Sequence, residues 1–519
     1  MVNSNLNSNA EPHTLSSPSD LLDTLRSLRE TVNQDGLDMF NQWRSHIHRR
    51  EFLPSALNLA HYLVLRRHDL RSLQTALMPW GLSSLGRIEA RVMPNLDAVI
   101  ATLSQLCGHY NLKLQHPPLG AFFEGQHLLL QHTEELFGQT QPHRRVKIMV
   151  TLPPEAASNY QLVKAMVQRG ANCARINCAH DSLTAWGQMI AHVHQAEAET
   201  GNRCTIMMDL GGPKIRTGPV RTPSDKKRLF RGDTFVLSRC TPEAMSQPET
   251  LPASSHPLQT CCSVPEVLDL LEVGAPIYID DGKLRTTVID THYPDVQGRP
   301  GLLLQVTHAR PKGVKLRPEK GLNFPHTVLP LAPLTNKDLQ DLDFVVTQAD
   351  IIGYSFVQLP ADIELLQQAI AQRLGNGPKP PAIVAKIETA VAVTNLPELI
   401  IHAAGKQPFG VMIARGDLAV EIGYQRLAEI QEEILWLCES AHVPVIWATQ
   451  VLESLVKEGA PSRGEMTDAA MAERAECVML NKGPFIVEAI TILDDVLTRM
   501  EAHQLKKTSQ LRALSAWAE

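Results

Sequence analysis

The chain of 519 residues lacks the features that mark nucleic-acid-binding and membrane proteins. Its formal net charge is −6, so the overall charge does not favour a nucleic-acid partner. No apolar run approaches the roughly 18 residues needed to span a membrane. The polar start, residues 1–9, has neither the basic nor the apolar region of a signal peptide. We therefore expect a protein without a membrane partner, and a nucleic-acid partner is not expected.

The sequence also lacks CxxC pairs and a phosphate-binding loop. Nine cysteines are scattered without a CxxC pair, and Cys261 and Cys262 are adjacent. An odd number without metal-ligand spacing favours reduced thiols, so we expect a cytoplasmic protein. No GxxxxGK[ST] motif occurs, which excludes a kinase of the P-loop class.

What is present is a regular alternation of strand and helix patterns. The composition, 44% hydrophobic and 20% charged, is that of a globular protein with a substantial core. We predict strands at 146–152, 173–177, 205–209, 351–355, 383–388, 410–414, 444–448 and 477–480. Helical patterns lie at 160–169, 182–200, 336–347, 361–374, 425–441 and 487–500. Eight strands with helical crossovers predict an α/β fold, a closed parallel (β/α)8 TIM barrel.

The segments outside this alternation define the predicted domains. We assign 1–16 to a disordered tail, 17–107 to an N-terminal all-α domain, and 108–144 to a linker. The barrel takes 145–217 and 320–500. Between them, 218–319 is rich in Pro, Thr and Val and predicts a small β domain inserted after the third strand. A short helical tail, 501–519, follows. The sequence assigns no function to the N-terminal domain.

Polar side chains follow the predicted strands where active sites of such barrels lie. Lys386 and Glu388 are two residues apart and emerge on one side of a strand, which by itself could be a simple ion pair. Other strand ends add Arg175, Asn177, Asp209, Ser355, Asp417 and Thr449. Glu388 and Asp417 are hard oxygen donors that suit Mg²⁺. Arg175 and Arg216 offer fixed charge for phosphate, and the turn 414–417 could hold an anion on its backbone N–H groups.

At these residues the chain resembles the pyruvate kinase family. The resemblance rests on 174–177 (ARIN), 212–218 (GPKIRTG), 280–282 (DDG), 320–323 (KGLN), 383–388 (IVAKIE), 414–418 (ARGDL) and 448–454 (ATQVLES). Order and spacing agree from about residue 145 to 500. The resemblance implies a TIM barrel with a β lid domain, preceded here by an extra helical domain and lacking the family's usual C-terminal domain.

The resemblance also implies roles. Glu388 and Asp417 hold Mg²⁺ or Mn²⁺, and Lys386 stabilises the transferring phosphoryl group and the enolate. Arg175 and Arg216 bind phosphate, and Thr449 helps to protonate the enolate. The nucleotide lies near Asn177, His180 and Pro154, and the substrate near Ala414, Gly416, Asp417 and Thr449. The implied substrates are phosphoenolpyruvate and ADP, with ATP as a product, and a homo-oligomer is expected.

Several positions depart from the family pattern. Residues 151–154 (TLPP) stand where the family usually has Thr-Ile-Gly-Pro, which stiffens a loop expected to approach the nucleotide. Residues 481–484 (NKGP) replace a Ser-Gly-Glu-Thr segment. Ala179 and Leu210 replace two residues that help to bind K⁺. Lys214 replaces a glutamate, so its ammonium could substitute for K⁺, with Asp209 or the phosphate pocket as its partner. We therefore expect an enzyme that does not require K⁺.

Three functions are left open by the sequence. The first is a pyruvate kinase that transfers phosphoryl from phosphoenolpyruvate to ADP. The second is another Mg²⁺-dependent, enolate-forming barrel enzyme, such as a lyase. The third is a catalytically dead regulator that binds a metabolite or nucleotide, which the changed turns at 153–154 and 481–484 favour. The intact set of Lys386, Glu388, Asp417 and Thr449 argues for catalysis.

Overall fold

The computed structural model describes residues 17–82, 84–109, 115–223, 228–239, 250–251, 257–295, 298–325, 327, 329, 331–375 and 377–510. The expected disordered tail 1–16 lies outside these residues. In chain order the strands are β1 (Lys147–Thr151), β2 (Cys173–Asn177), β3 (Thr205–Asp209), β4 (Thr222–Pro223), β5 (Thr234–Arg239), β6 (Thr250–Leu251), β7 (Leu258–Cys262), β8 (Pro276–Ile279), β9 (Leu284–Pro294), β10 (Pro300–His308), β11 (Leu322–Asn323), β12 (Ile351–Tyr354), β13 (Ala382–Ile387), β14 (Phe409–Ala414), β15 (Val445–Ala448), β16 (Cys477–Leu480), β17 (Gln504–Leu505) and β18 (Thr508–Ser509).

The described residues also form α-helices, in the N-terminal region and between the barrel strands. They are α1 (Pro18–Trp43), α2 (Leu53–Leu65), α3 (Arg71–Leu77), α4 (Val92–Leu106), α5 (Leu119–Phe137), α6 (Tyr160–Gln168), α7 (Leu183–Thr200), α8 (Asn336–Gln348), α9 (Pro360–Leu374), α10 (Ala390–Thr394), α11 (Leu396–Ala404), α12 (Arg415–Ile422), α13 (Tyr424–Ser440), α14 (Glu453–Glu458), α15 (Arg463–Met471) and α16 (Ile486–Glu501).

Eight parallel strands close into a barrel, as the alternation predicts. Their order around the barrel is β1-β16-β15-β14-β13-β12-β3-β2. The register pairs Asn177 with Asp209 and Gly353 with Asp209, so the polar ends of β2, β3 and β12 lie side by side. These strands consist almost entirely of buried residues because helices cover the barrel outside and side chains fill it inside. The (β/α)8 prediction is confirmed.

The segment 108–144, predicted to be a linker, instead contains the 19-residue helix α5. Leu136 and Phe137 at its C-terminal end pack inside the barrel with residues such as Met149 and Met412. A Cβ on Gly410 would lie 2.6 Å from Leu136 Cδ2, so the glycine makes room for this contact. The prediction was wrong because Pro117, Pro118 and the glycines at 120, 125 and 138 suggested irregular chain, whereas Pro118 here precedes the first helical turn.

The N-terminal helices form their own core and also contact the barrel. Leu21, Leu25, Tyr62 and Leu96 belong to this core, against which Trp436 of α13 packs. Ser17 caps α1, and its Oγ accepts a hydrogen bond from Asp20 N–H at 3.2 Å. Helices α2 and α3 are separated at residues 66–70.

The insert after β3 is a β domain with its own hydrophobic core. Its six-stranded sheet has the order β11-β8-β9-β10-β5-β7. Arg216 bridges to Gly321, so the two chain segments that enter and leave this domain are joined at its base. The predicted position of the insert after the third barrel strand is confirmed.

Two expectations about the remaining chain are corrected. The tail, predicted to be helical, forms the hairpin β17–β18 at 504–509, and residues 511–519 lie outside the described residues. Among the described residues, seven cysteines have free thiols, as expected, whereas Cys261 is disulfide-bonded, which contradicts the expectation of reduced thiols at that position. Within the described residues, no helix combines the length and apolar character needed to cross a membrane.

Candidate active site

The centre of the site is the ammonium group of Lys386, at the carboxyl end of β13. Its Nζ donates to Ser355 Oγ at 2.7 Å and to Asp209 Oδ2 at 3.3 Å. Glu388 Oε1 is also 3.3 Å away. The alternation of side chains along the strand brings Lys386 and Glu388 to the same side, as predicted. The pair is therefore part of a network that joins β13 to β3 and β12, rather than an isolated ion pair.

Arg175 and Asp209 form the second part of this network. The guanidinium of Arg175 donates to Asp209 Oδ2 through Nε at 3.0 Å and through Nη2, and Nη1 reaches Thr151 Oγ1 at 3.1 Å. Asp209 is almost completely buried. Burial alone would raise the pKa of this carboxyl, but the charges of Lys386 and Arg175 outweigh it and lower the pKa.

Lys214 lies at the opposite side of the centre, against Asp417. Its Nζ is 2.9 Å from Asp417 Oδ1 and 3.0 Å from Oδ2. Of the two partners predicted for Lys214, Asp209 or the phosphate pocket, the first is wrong, because the contact is with Asp417. Gly212 has φ +66°, and a Cβ there would lie 2.8 Å from Ser355 Cβ, so the loop after β3 packs tightly on β12 and directs Lys214 towards α12.

Thr449 is held beside the first turn of α12. The Arg415 guanidinium donates to the Ala448 carbonyl at 3.0 Å and the Thr449 carbonyl at 2.6 Å, and Asp468 binds it in turn. A Cβ on Gly416 would lie 3.2 Å from Thr449 Oγ1. The glycine thus allows the hydroxyl of Thr449 to approach the backbone that follows Ala414.

The predicted nucleotide-side residues lie further out. Asn177 accepts a hydrogen bond from Ala179 N–H at 3.1 Å, and His180 and Pro154 are exposed. The Arg216 side chain donates to the Glu319 carbonyl at 3.1 Å, at the base of the lid. Partial burial lowers the pKa of His180, and the charges of Lys482 and Arg216 act in the same direction. Arg216 and Lys482 therefore give this rim its positive charge.

The two carboxylates predicted to hold a metal are close enough to influence each other. Burial raises the pKa of Glu388, the charge of Lys386 opposes this, and Asp417 raises the pKa further. Glu388 Oε2 accepts the backbone N–H of Phe356 at 2.6 Å, which fixes its orientation. The ammonium group of Lys214 binds both oxygens of Asp417, so in this structure a cationic group already occupies the position next to that carboxylate. The donor set of hard oxygens suits Mg²⁺ or Mn²⁺.

Three contributions were missed by sequence reasoning. Ser355 was recognised only as a strand end, although its hydroxyl is the shortest contact of Lys386. The N–H of Phe356 has no sequence signal, because any residue except proline offers one. The pairing of Arg415 with Asp468 joins residues 53 positions apart, and a spacing of that size has no periodic signature.

The structure combines a TIM barrel, an inserted β lid and a Lys–Glu–Asp cluster at the carboxyl end of the barrel. These features define a class of enzyme that handles anionic substrates with a divalent metal. The family model "Pyruvate kinase, barrel domain" matches residues 143–489. The chain belongs to the pyruvate kinase family.

Known relatives agree with this assignment. Pyruvate kinase of Methylorubrum extorquens is 32% identical over 408 residues, which cover 72% of this chain and 78% of that protein. Pyruvate kinase PKLR of Homo sapiens is 31% identical over 405 residues, 74% of this chain and 66% of that protein. Pyruvate kinase 2 of Synechocystis is 32% identical over 377 residues, and this chain spans 58% of its length.

Proposed function

We propose that this protein is a pyruvate kinase, which transfers the phosphoryl group of phosphoenolpyruvate to ADP and releases pyruvate and ATP. The observation that carries the proposal is the position of Lys386 between Asp209, Glu388 and Ser355. In this reaction the bond between phosphorus and the enol oxygen breaks, and a bond to a β-phosphate oxygen of ADP forms. A proton then adds to the enolate carbon. Such a transfer needs charge neutralisation and alignment more than covalent catalysis.

Each of the central side chains has a role in this proposal. The ammonium of Lys386 stabilises the phosphoryl oxygens during transfer and the enolate oxygen afterwards. Arg175, held by Asp209 and Thr151, presents a fixed guanidinium to phosphate. The hydroxyl of Thr449 lies on the path by which the enolate carbon receives its proton. Ala414, Gly416 and Asp417 contact the substrate through the first turn of α12.

Glu388 and Asp417 are the residues that would hold Mg²⁺ or Mn²⁺, which when bound supplies charge to balance the phosphates. Asn177, His180 and Pro154 would face the nucleotide, and the positive rim formed with Arg216 favours its phosphates. The expected homo-oligomer stays a prediction, which light scattering on the purified protein can test.

We further propose that turnover does not require K⁺. Ala179 and Leu210 offer no side-chain oxygen, and Asp209 is already bonded to Arg175 and Lys386, so few ligands remain for a large monovalent cation. Lys214 places a tethered positive charge on Asp417, 2.9 Å from Oδ1. In this arrangement a lysine supplies charge that a mobile cation would otherwise bring to the site.

A coupled assay tests the main proposal. Phosphoenolpyruvate, ADP and Mg²⁺ should give pyruvate and ATP in equal amounts. Pyruvate formation that does not depend on ADP would favour a lyase or phosphatase. Binding of phosphoenolpyruvate without any turnover would favour the regulator.

The monovalent-cation proposal is tested separately. Wild type should keep its activity when tetramethylammonium is the only monovalent cation. Lys214→Glu should lose activity and regain part of it with K⁺. Lys283→Glu, at an exposed lid lysine, is the matched control and should behave like wild type. Wild type that is inactive until K⁺ is added would refute the idea.

A further inference from the structure

A second cluster of metal-binding side chains lies far from the strand ends, where the N-terminal helices meet the barrel. His46 follows α1, Glu364 lies on α9 and His402 lies on α11. One ligand atom from each of these residues lies within 4.8 Å of the other two. The imidazole rings of His46 and His402 are 4.1 Å apart between centroids and tilted by 30°.

The backbone around this cluster is tightly fixed. The N–H groups of His48 and Arg49 both donate to the Gly405 carbonyl, at 2.7 Å and 2.9 Å. A Cβ on Gly405 would lie 2.8 Å from the His46 carbonyl, so the chain can approach α11 this closely only at a glycine. Trp43 Nε1 adds a hydrogen bond to Glu398 Oε1 at 2.8 Å. These contacts therefore hold His46 beside His402 where the N-terminal helices meet the barrel.

We propose that His46, Glu364 and His402 bind Zn²⁺ and join the N-terminal domain to the barrel. Two histidines and one carboxylate are a common protein ligand set for zinc, with water in the fourth position. Two ligands at zinc-binding distance in a tetrahedral arrangement are about 3.3 Å apart. His402 Nδ1 and Glu364 Oε1 are hydrogen-bonded at 3.0 Å, so the two atoms already face each other at nearly the separation that zinc would require, and the ion would replace the shared proton.

Two adjustments accompany binding. The ligand nitrogen of His46 must move towards the other two groups, and its partly exposed side chain lies on a short 3-10 turn, Arg44–His46, rather than inside a long helix. Lys406 Nζ lies 3.8 Å from Glu364 Oε1 and must turn away, which its partly exposed, flexible side chain allows.

The zinc site uses nitrogen and oxygen donors, whereas the strand-end site offers only oxygen donors to its metal. The two sites should therefore prefer different metals.

Equilibrium binding of Zn²⁺ tests the proposal. The tag-free protein is titrated in a reducing buffer with saturating Mg²⁺, so that the strand-end carboxylates are occupied. Wild type should bind one Zn²⁺ with high affinity, and its melting temperature should rise. His46→Ala and Glu364→Gln should each weaken this binding at least tenfold. Both changes are at partly exposed side chains, and circular dichroism verifies that the variants remain folded.

His48→Ala, at an exposed histidine two residues from His46, is the matched control and should bind like wild type. Co²⁺ serves as a spectroscopic probe: the site should give visible absorption bands without the near-ultraviolet band of a thiolate ligand, which separates it from binding at cysteine. Equal Zn²⁺ binding by wild type and both variants, a thiolate band with Co²⁺, or no saturable site in wild type would each overturn the proposal.

Discussion

Lys386→Met removes the charge at the centre of the strand-end network while keeping a side chain of similar length. In wild type the ammonium contacts Ser355 at 2.7 Å and both Asp209 and Glu388 at 3.3 Å. Its loss deprives the transferring phosphoryl group of a fixed charge. Removal of one such group costs at least about a hundredfold in rate, equivalent to about 3 kcal/mol. We expect kcat to fall by that factor or more.

Lys386→Met should also lower the free energy of unfolding, because it removes a partner of two buried carboxylates. Asp209 keeps Arg175 as a partner, whereas Glu388 keeps the N–H of Phe356 and the more distant charge of Lys214. Breaking a buried ion pair costs about 3–5 kcal/mol, and we expect the lower end because one carboxylate remains paired. Without Lys386 the pKa of Glu388 rises further, so Glu388 takes up a proton more readily. The stability loss should therefore be smaller at low pH than at pH 8.

A coupled pyruvate assay and thermal melting at two pH values measure both effects. Lys147→Met is the matched control, because Lys147 is a buried lysine at the other end of the barrel. Its Nζ donates to the Gly138 and Gln139 carbonyls at 3.0 and 2.6 Å. This control should lose stability but retain most of its kcat. A Lys386→Met enzyme with more than about a tenth of the wild-type kcat would refute the catalytic assignment.

Three further predictions concern the supports of the site and the fold. Asp468→Asn should lower kcat about tenfold or more with little change in folding, because Arg415 then holds the Thr449 carbonyl less firmly, and steady-state kinetics would detect this. Burial lowers the pKa of His442 from 6.5 to about 4, so the folded state binds fewer protons than the unfolded state between these values. The free energy of unfolding should accordingly fall by up to about 3 kcal/mol as pH drops from 6.5 to 4, and His442→Gln should make this slope shallower in denaturant titrations. Phe137→Ala should cost about 3–5 kcal/mol, because it empties the end of the barrel that α5 fills, and unchanged melting would contradict that packing.

Much of the fold could be predicted from local patterns. The strands at 173–177, 205–209 and 477–480 were predicted with the bounds that the structure gives. Runs of β-branched and apolar residues between helix-period segments specify parallel strands that are buried on both faces, and this information is local. The same logic predicted that Lys386 and Glu388 share one side of β13, because side-chain direction alternates along any strand.

Only the tertiary structure decided which charges meet. Lys214 contacts Asp417, 203 positions away, and not Asp209, only five positions away, because packing of the glycine loop on β12 sets its direction. The linker prediction failed for a related reason: α5 is stabilised by the barrel interior, which no local pattern of 119–137 reveals. The cluster of His46, Glu364 and His402 arises in the same way. Ligand sets from distant segments have no periodic spacing. Local sequence therefore determines the barrel strands and their helices, whereas the packing of the whole chain determines α5 and the sites.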